Sequence, residues 1–269
     1  MGAGQAHGMT ITSTANPRVR LAIDLRDRKH RRESNQFLIE GTVEIGKALE
    51  AGVEVDLLFY DVTSASNAAV PLLQQAQQAG ADTLAVDRAV ADRICVRGGP
   101  VLAIARCFSL ALELFDPPLP ELVLAVEHIE KPGNIGAMLR TAAAVGASLL
   151  VCDELTDVFN PSAVRSSLGT LFSVAIAQAG AREARGWLRE HSVRLLAAVP
   201  DAPTPFWEAD LAGPVAIAIG AEDTGLTPEM REGAESVSIP MAAGVDSLNA
   251  SVAAAVFLYE ATRQRRLVV

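Results

Sequence analysis

The chain has 269 residues, of which 50% are apolar and 20% are charged, and its formal net charge is −9. With a mean hydropathy of +0.25, this composition is typical of a folded globular protein and excludes a disordered chain. No apolar stretch reaches about 18 residues without a charge, so we expect no membrane span. The length favours two domains. The acidic total at first disfavours nucleic acid as a partner.

The cysteines and histidines point to neither a disulfide framework nor a metal site. Cys95, Cys107 and Cys152 are odd in number and far apart, and the four histidines form no H-x-x-x-H pattern. The first residues lack the charged-then-apolar pattern of a secretory signal. We therefore expect a cytoplasmic protein without a metal, preceded by a loose tail over residues 1–10.

A basic cluster lies near the amino terminus despite the acidic total. Residues 18–32 contain only two acidic residues, Asp24 and Asp27. The basic residues of this stretch are Arg18, Arg20, Arg26, Arg28, Lys29, Arg31 and Arg32. Local clusters, not total charge, determine whether a surface can bind a phosphate backbone. The cluster therefore permits RNA binding, although a solvated helix face with i,i+4 ion pairs is an equally ordinary explanation.

The first half of the chain alternates strand-like and helix-like segments. Apolar runs predict strands at 37–41 and 55–61 and in the segments DTLAVD and VLAIARC, and helix patterns that stop at glycine lie between them at 42–52 and 70–80. Such alternation over about 95 residues indicates a small α/β domain. Pro117, Pro118 and Pro120 then mark the best candidate linker.

The second half contains short strands without polar alternation. They are predicted at 122–126, 148–152, 193–199 and 215–220. Runs of this kind are typical of a parallel sheet covered on both faces. Helices are predicted at 134–146, 161–171, 181–191 and 248–266. The pattern therefore predicts a second α/β domain.

Residues 127–141, EHIEKPGNIGAMLRT, are the most informative segment. A strand ends in a polar loop, and a Gly-Asn-Ile-Gly turn starts a helix that carries Arg140. Asn134 and Arg140 are six residues apart, which is about 9 Å along a helix. An amide and a permanent cation near the carboxyl end of a strand suit an anionic substrate held at two points. An ordinary β–α junction with a surface arginine has the same pattern.

Two later segments add polar groups at similar places. In IGAEDTGL, 219–226, a strand ends at Gly220, and Glu222 follows in a turn at the carboxyl end, where ligands bind in open α/β sheets. In 237–256, a short strand SIP leads to Ser247, which is well placed to cap the last helix, and to Asn249. Each segment alone is also compatible with a purely structural turn.

Several common functional motifs are absent from the sequence. It contains no G-x-G-x-x-G after a strand, no P-loop and no G-x-S-x-G elbow. These absences disfavour a dinucleotide enzyme, an NTPase and an α/β-hydrolase.

Taken in order, NIGAMLRT, IGAEDTGL and SIPMAAGVDSLNASVA resemble the three signature segments of the SpoU/TrmH branch of the SPOUT RNA methyltransferases. VFNPSAVRSSLGTLFSVAI, 158–176, is similar to the middle segment of that branch, and the whole resemblance covers about 120–268. Residues 16–106 resemble, more loosely, the small substrate-binding domain of members that act on rRNA. The resemblance implies a SPOUT α/β domain with a mostly parallel sheet and a trefoil knot, and a homodimer whose active site is completed across the interface.

The resemblance also implies limits for the domains. They are a flexible tail at 1–10, an RNA substrate-binding domain at 11–106, a linker at 107–119 and a methyltransferase domain at 120–269.

The implied cofactor is S-adenosylmethionine, and the implied reaction is methylation of a ribose 2′-hydroxyl. Loops at 197–200, 219–226 and 239–248 would wrap the cofactor. The residues expected to bind it are Val199, Gly220, Glu222, Leu226, Ile239, Met241 and Leu248.

Five residues are expected to act in catalysis, and Arg140 corresponds to the family's catalytic arginine. A guanidinium is not deprotonated under ordinary conditions, so we expect Arg140 to clamp the adjacent phosphate and stabilise the developing alkoxide. Asn134, Ser247 and Asn249 would orient the ribose and the methyl donor. Glu222 would fix the loop or accept a proton late. The expected RNA contacts are Arg28, Lys29, Arg31, Arg32 and Arg165.

The main hypothesis is therefore 2′-O-methylation of 23S ribosomal RNA. A tRNA methyltransferase, and an RNA-binding assembly factor without turnover, are alternatives on the same scaffold. A small-molecule enzyme on an open α/β sheet is a third, favoured by the acidic total. The sequence does not distinguish a housekeeping role from resistance to ribosome-directed antibiotics, nor does it indicate the modified nucleotide.

Overall fold

The computed structural model describes residues 10–64, 69–96 and 99–267. The predicted tail at 1–10 therefore lies, except for Thr10, outside the described residues. In chain order the elements are α1 (Pro17–Asp24), α2 (Arg28–Ser34), β1 (Gln36–Glu40), α3 (Thr42–Glu50), β2 (Val55–Asp61), α4 (Ala69–Gln78), β3 (Asp82–Val86), α5 (Arg88–Ile94), β4 (Val101–Arg106), β5 (Leu122–Glu127), α6 (Pro132–Val145), β6 (Ser148–Cys152), α7 (Pro161–Ser166), β7 (Ile176–Ala179), α8 (Ala181–Glu190), β8 (Arg194–Ala198), β9 (Thr204–Pro205), β10 (Val215–Ile219), α9 (Pro228–Arg231), β11 (Glu235–Ser238) and α10 (Ala250–Leu267).

The chain divides into two compact units. The first contains the described residues up to Phe108 together with Phe159–Phe172, and the second contains Ser109–Val158 and the chain from Ser173 onward. The segment 159–172 belongs to the first unit because α7 packs against β1 and the ring of Phe159 packs against that of Phe37 in a tilted arrangement, with ring centroids 4.8 Å apart. The functional domains at 11–106 and 120–269 stay predictions.

The first unit is built on a mixed sheet. Within its described residues the strand order is β1-β4-β2-β3, with β4 antiparallel to both its neighbours and β2 parallel to β3. Apolar side chains of α1, α5 and the sheet form its core, including Val19, Phe59, Val90, Ile94 and Ile104. The strands of this sheet were predicted from their apolar runs, whereas the helices α1 and α5 were not predicted.

The second unit is built on a parallel sheet. Among the described residues its strand order is β7-β6-β5-β10-β8-β11-β9, and every neighbouring pair is parallel. All residues of β5, β6 and β10 are buried. Solid apolar strands are stable only when both faces are covered. The predicted α/β class with a mostly parallel sheet is therefore confirmed, while the trefoil knot stays a prediction.

Helices cover this sheet. Val123 and Ala125 of β5 lie in one buried cluster with Trp187 and Leu188 of α8. Because side chains alternate along a strand, Leu124 points to the opposite face, where α10 packs against β5, β10 and α6. Within the described part of the chain, no helix is both long and apolar enough to cross a membrane.

Several predicted boundaries differ from those observed, and three of the differences have a clear local cause. The helix expected to run to residue 171 ends at Ser166, because Leu168 and Gly169 have positive φ angles of 51° and 81° that no helix accommodates. The strand predicted to include SIP, residues 238–240, ends at Ser238 as β11. Pro240 has no backbone N–H and cannot donate a hydrogen bond to a neighbouring strand.

The last helix begins at Ala250 instead of 248. Ser247 is consequently not its cap. The side chain of Asn249, directly before the helix, accepts a hydrogen bond from the backbone N–H of Ser251 at 3.1 Å. Asparagine is among the residues most favoured at this position, so the capping role predicted for Ser247 was wrong.

Candidate active site

The carboxyl ends of four neighbouring strands form the candidate site. After β5 the chain continues through α6 to β6 on one side, whereas β10 lies on the other side of β5. A crevice opens where successive connections leave a parallel sheet in opposite directions, and ligands of open α/β sheets bind there. The loops that follow β5, β8, β10 and β11 all reach this edge.

A cavity of about 260 Å³ lies between the loops after β8, β10 and β11 and the start of α10. Its lining residues are Ala198, Val199, Pro200, Ile219, Gly220, Ala221, Glu222, Asp223, Thr224, Gly225, Val237, Ile239, Met241, Ser247, Leu248, Ala250, Ala253 and Phe257. Most of these side chains are small or apolar, while Glu222 and Asp223 supply carboxylates. Such a cavity suits a ligand that combines a flat apolar ring with positive charge.

Gly220 allows the loop after β10 to fold back over its own strand. A Cβ atom at this position would lie 2.2 Å from the carbonyl carbon of Gly225. The backbone N–H of Gly225, whose φ is +67°, donates to the carbonyl of Ala221 at 3.0 Å. Two glycines are thus needed for different reasons, close backbone approach at 220 and a left-handed conformation at 225.

Glu222 is the centre of a polar cluster beside this cavity. Its Oε1 accepts hydrogen bonds from the side-chain amides of Asn134, at 3.0 Å, and Asn249. Its Oε2 accepts one from the ammonium of Lys131. The Asn249 amide also donates to Oδ1 of Asn134 at 3.2 Å. Residues from three segments more than 25 positions apart are thereby joined through one carboxylate.

This network keeps the Glu222 carboxylate ionised. The Lys131 ammonium, followed by the Asn134 amide, lowers the pKa of Glu222. Hydrogen bonding and charge attraction from Glu222 raise the pKa of Lys131 in return. Both shifts have the sign expected when opposite charges meet.

A second cavity, of about 230 Å³, adjoins the first. The two share Ala221, Glu222, Asp223 and Ala250 as a common wall. The remaining lining residues of the second cavity are Ile129, Glu130, Lys131 and Asn134. The surface of the first cavity is mainly apolar, whereas five of the eight residues that line the second carry charged or amide side chains, so the pair is suited to two ligands of different character.

The loop after β10 is tied to β5 by a buried carboxylate. Glu127, at the end of β5, has no exposed surface and accepts hydrogen bonds from the backbone N–H and hydroxyl of Thr227 at 2.7 and 2.6 Å. The Thr227 hydroxyl in turn accepts from the N–H of Met230 and caps α9. These bonds hold the far end of the segment that carries Glu222.

The structure brings most of the predicted cofactor residues together. Val199, Gly220, Glu222, Ile239, Met241, Leu248 and the predicted catalytic Ser247 all line the first cavity. Leu226 does not line it. Its side chain is only 8% exposed and packs in the hydrophobic cluster with Met230.

Arg140 lies apart from both cavities of the chain. It is exposed near the carboxyl-terminal half of α6 and lines neither cavity. Asn134 lies in the first turn of the same helix and lines the second cavity. Six residues of helix separate the two side chains by about 9 Å along the axis and by about 120° around it.

The predicted RNA contacts all belong to the first unit. Lys29 and Arg32 are exposed and Arg28 and Arg165 are half-buried. Lys29 forms an i,i+4 ion pair with Glu33, at 3.9 Å. Arg31 is only 3% exposed, and its guanidinium donates to the carbonyls of Leu25 and Arg26. This burial gives Arg31 a structural role in joining α1 to α2, and Arg31 is therefore not part of the exposed basic surface of α2.

Lys131 and the Glu127–Thr227 pair were not predicted from the sequence. Lys131 lies three residues before Asn134, in the same loop that was singled out. A lysine and a glutamate in two loops predicted at the same sheet edge could have indicated that Lys131 and Glu222 form an ion pair. The Glu127–Thr227 bond joins positions 100 residues apart, and no local pattern could have indicated it.

Two family models match this chain. The SpoU rRNA methylase family model matches residues 121–259, and the MRM3-like substrate-binding domain model matches residues 16–105. The 23S rRNA (uridine(2479)-2′-O)-methyltransferase of Streptomyces viridochromogenes is 31% identical over 255 residues, which cover 90% of this chain and 87% of that protein.

Two solved structures are similar over nearly the whole chain. A crystal structure of an RNA 2′-O ribose methyltransferase has 41% identity and a TM-score of 0.83, covering 96% of this chain and 100% of its own. An AdoMet-bound rRNA methyltransferase from Sinorhizobium meliloti has 29% identity and a TM-score of 0.87, covering 95% and 97%. The chain therefore belongs to the SpoU rRNA methylase family.

Proposed function

We propose that the protein transfers a methyl group from S-adenosylmethionine to a ribose 2′-hydroxyl of 23S ribosomal RNA. One observation carries the proposal: Asn134, Glu222 and Asn249, from three distant segments, form one polar cluster beside an apolar cavity. The family match and the activity named for the Streptomyces relative support the same reaction and substrate. Such a substrate implies the compartment that contains ribosomes, the cytoplasm.

The first cavity fits the cofactor. Apolar walls from Val199, Ile239 and Leu248 are suited to an adenine ring, and the carboxylate of Glu222 at its edge suits a positive charge. Gly220 lets the backbone of the loop approach closely enough to bind a ring edge. S-adenosylmethionine, when bound, supplies a methyl group on a sulfonium, which is a good leaving group.

The chain's own residues must then prepare the alcohol. Asn134, Ser247 and Asn249 orient the ribose and the methyl donor, which raises the rate by fixing the reacting atoms in line. Glu222 holds both amides in place by accepting from their NH₂ groups. Arg140 clamps the adjacent phosphate, and its permanent charge stabilises the alkoxide as it develops. As the 2′-oxygen bonds to the methyl carbon and the bond from that carbon to sulfur breaks, the ionised carboxylate of Glu222 would accept the hydroxyl proton late.

A homodimer completes this site. Arg140 lines neither cavity of its own chain, so a second copy supplies the arginine across the interface. Val252 and Tyr259 on α10 are 47% and 56% exposed, and they lie seven residues apart on one helix face. This exposed apolar face, next to the beginning of the helix that lines the cavity, supports contact with a second copy.

The first unit binds the RNA. Lys29 and Arg32 of α2 present exposed positive charge, together with the half-buried Arg28. Arg165 of α7 adds a further phosphate contact. Phosphate binding by such residues contributes affinity without base specificity, so the modified nucleotide is selected by other contacts.

Methyl transfer from radiolabelled S-adenosylmethionine to purified RNA tests the proposal. Unmodified 23S rRNA, 16S rRNA and bulk tRNA would be supplied separately. We expect label in 23S rRNA alone, at one ribose, detected as a bond that resists alkaline hydrolysis. Label in tRNA alone would assign the protein to the tRNA enzymes.

The remaining outcomes separate the other hypotheses. Binding of S-adenosylmethionine and 23S rRNA without any transfer would indicate an assembly factor. Transfer to small alcohols but to no RNA would indicate a small-molecule enzyme. Either result would contradict the proposed reaction.

A further inference from the structure

Lys131 stands out among the residues that line the second cavity. Within the described residues it is the one cation there, and Glu130, Glu222 and Asp223 supply carboxylates. All three carboxylates act on Lys131 electrostatically, Glu222 most strongly. A cavity with this surplus of negative charge repels RNA unless a cation offsets it.

The ion pair between Lys131 and Glu222 is exposed enough for Lys131 to exchange Glu222 for another anion. The Lys131 side chain is 65% exposed whereas that of Glu222 is 30% exposed. The ammonium therefore lies on the solvent side and the carboxylate on the cavity wall. Ion pairs exposed to this degree contribute little to stability and are readily broken, so a stronger anion can replace the carboxylate as the partner of Lys131.

Glu222 does not depend on Lys131 for its position. The amides of Asn134 and Asn249 both donate to Oε1, and the backbone of Ala250 donates to the same carboxylate. Loss of Lys131 from Oε2 leaves these bonds in place. The lysine can consequently move without dismantling the rest of the cluster.

We propose that Lys131 binds a phosphate of the substrate RNA beside the target ribose, and that it is held by Glu222 until that phosphate arrives. The inference rests on the proposed RNA substrate and names one contact of the same site. A phosphate is a strong acceptor of charge-assisted hydrogen bonds, and lysine binds it as a point charge. In the free protein, pairing with Glu222 keeps the lysine at the mouth of the second cavity.

The test compares Lys131→Met with wild type in two backgrounds, the native chain and Glu222→Gln. Binding of unmodified 23S rRNA would be measured over a series of salt concentrations, with S-adenosylhomocysteine present so that nothing turns over. Lys131→Met should weaken binding about tenfold and reduce the salt slope by roughly one phosphate contact. Lys131→Arg, which keeps the charge, should restore most of both.

The Glu222→Gln background separates direct contact from indirect support. Glu222→Gln alone should tighten RNA binding by about two- to fivefold, because the lysine no longer has a competing charged partner. Lys131→Met should still weaken binding about tenfold in that background. If Lys131 acted only by holding Glu222, Lys131→Met would not weaken RNA binding in the Glu222→Gln background. This result would overturn the proposal.

Arg194→Met is the matched control. Arg194 is likewise half-exposed and paired with carboxylates, Asp210 and Glu235, but it lies at the amino end of β8, opposite the cavity. It should leave RNA affinity and salt slope unchanged, and an equal loss from Arg194→Met would refute a specific role for Lys131. A wild-type protein that does not bind 23S rRNA would refute the proposed function as well, whereas normal wild-type binding with no effect of Lys131→Met would refute this inference alone.

Discussion

At the scale of single residues, one carboxylate orients the whole polar cluster. An ionised carboxylate is only an acceptor, so Asn134 and Asn249 must both turn their NH₂ groups towards Glu222. The carbonyl oxygen of Asn249 is then left to accept from the backbone and hydroxyl of Ser251. The amide that joins the site also begins α10, which couples the orientation of the cluster to the start of that helix.

Gly220→Ala should damage the cofactor cavity. The added Cβ would meet the backbone of Gly225 at 2.2 Å, and backbone cannot move aside as a flexible side chain can. We expect the loop to shift, affinity for S-adenosylmethionine to fall at least about tenfold, and the free energy of unfolding to drop by roughly 1–3 kcal/mol. Isothermal titration and urea unfolding measure the two effects.

Gly186→Ala is the matched control for this substitution. Gly186 lies inside α8 with no atom within 4 Å of an added Cβ. Alanine should stabilise that helix by roughly 0.5–1 kcal/mol and leave cofactor affinity unchanged. Equal cofactor affinity in both variants would contradict the close approach assigned to Gly220.

At the scale of elements, the ends of strands carry the chemistry and buried polar bonds hold those ends in place. The loop after β10 begins at Gly220, carries Glu222 and is anchored at Thr227 to the carboxylate of Glu127. A loop fixed at both ends loses little additional entropy when a ligand binds, which favours affinity.

Thr227→Val should loosen this anchor. The substitution keeps the side-chain shape but removes the hydroxyl that bonds to Glu127 and caps α9. It leaves a buried carboxylate with one donor fewer, so we expect a loss of roughly 1–3 kcal/mol in the free energy of unfolding. Urea unfolding would measure it. Thr227→Ser retains the hydroxyl and should lose less than half as much; an equal loss would locate the effect in packing.

A second buried carboxylate, that of Asp61, lies at the end of β2 in the first unit. It predicts that the folded protein loses stability in acid. Burial alone would raise the pKa of Asp61, but hydrogen bonds from Ser64, Thr63 and Arg88 outweigh burial and lower the pKa to about 2. Because the folded-state pKa is depressed, its stabilisation is present above about pH 4 and is lost as the pH falls towards about 2.

Asp61→Asn tests that sensitivity. The variant should be less stable than wild type near neutral pH, by roughly 1–3 kcal/mol, and the difference should shrink as the pH falls below about 4. Urea unfolding followed by far-ultraviolet circular dichroism over this pH range measures it. A difference that is constant with pH would show that the Asp61 charge is not the cause.

At the scale of the whole molecule, the second unit contains both cavities and the polar cluster, and Arg140 lies outside both cavities. Arg140 is exposed on α6 and lines neither cavity of its own chain. The acidic total of −9 is compatible with an RNA substrate because the exposed basic residues of α2 are gathered in the first unit. A dimer would bring two such units and two cavities together.

Mixing two inactive variants tests whether the site is shared between subunits. Arg140→Ala and Asn249→Ala should each lower turnover by about two orders of magnitude or more, with Arg140→Ala leaving cofactor affinity within a few-fold. After exchange of subunits, half of the dimers would be mixed and each would contain one intact site. Activity should therefore recover to about a quarter of wild type. No recovery, despite exchange shown by tagged subunits, would place Arg140 in the same chain's site.

Much of the fold could be predicted from the local pattern of apolar residues in the sequence. Solid apolar runs such as LVLAV and VAIAIG specified buried parallel strands, because a strand covered on both faces buries the side chains that point to either face. The glycine at 220 and the polar residues Asn134, Glu222 and Asn249 also stood out, since each follows an apolar strand or begins a helix. Their positions after strands predicted that these side chains lie at one edge of the sheet, and in the structure hydrogen bonds join Asn134, Glu222 and Asn249 there.

Other features depended on contacts between distant residues. Arg31 looks identical to its basic neighbours in sequence, yet it is buried because the turn between α1 and α2 places two carbonyls around its guanidinium. Leu226 ends the segment IGAEDTGL, which was predicted to wrap the cofactor, but its side chain packs in the hydrophobic core. The capping of α10 by Asn249, the pairing of Lys131 with Glu222 and the anchoring of Thr227 by Glu127 all require the sheet to be assembled first. Short-range periodicity determines which segments become strands and helices, whereas hydrogen bonds between positions up to 100 residues apart decide which polar side chains meet.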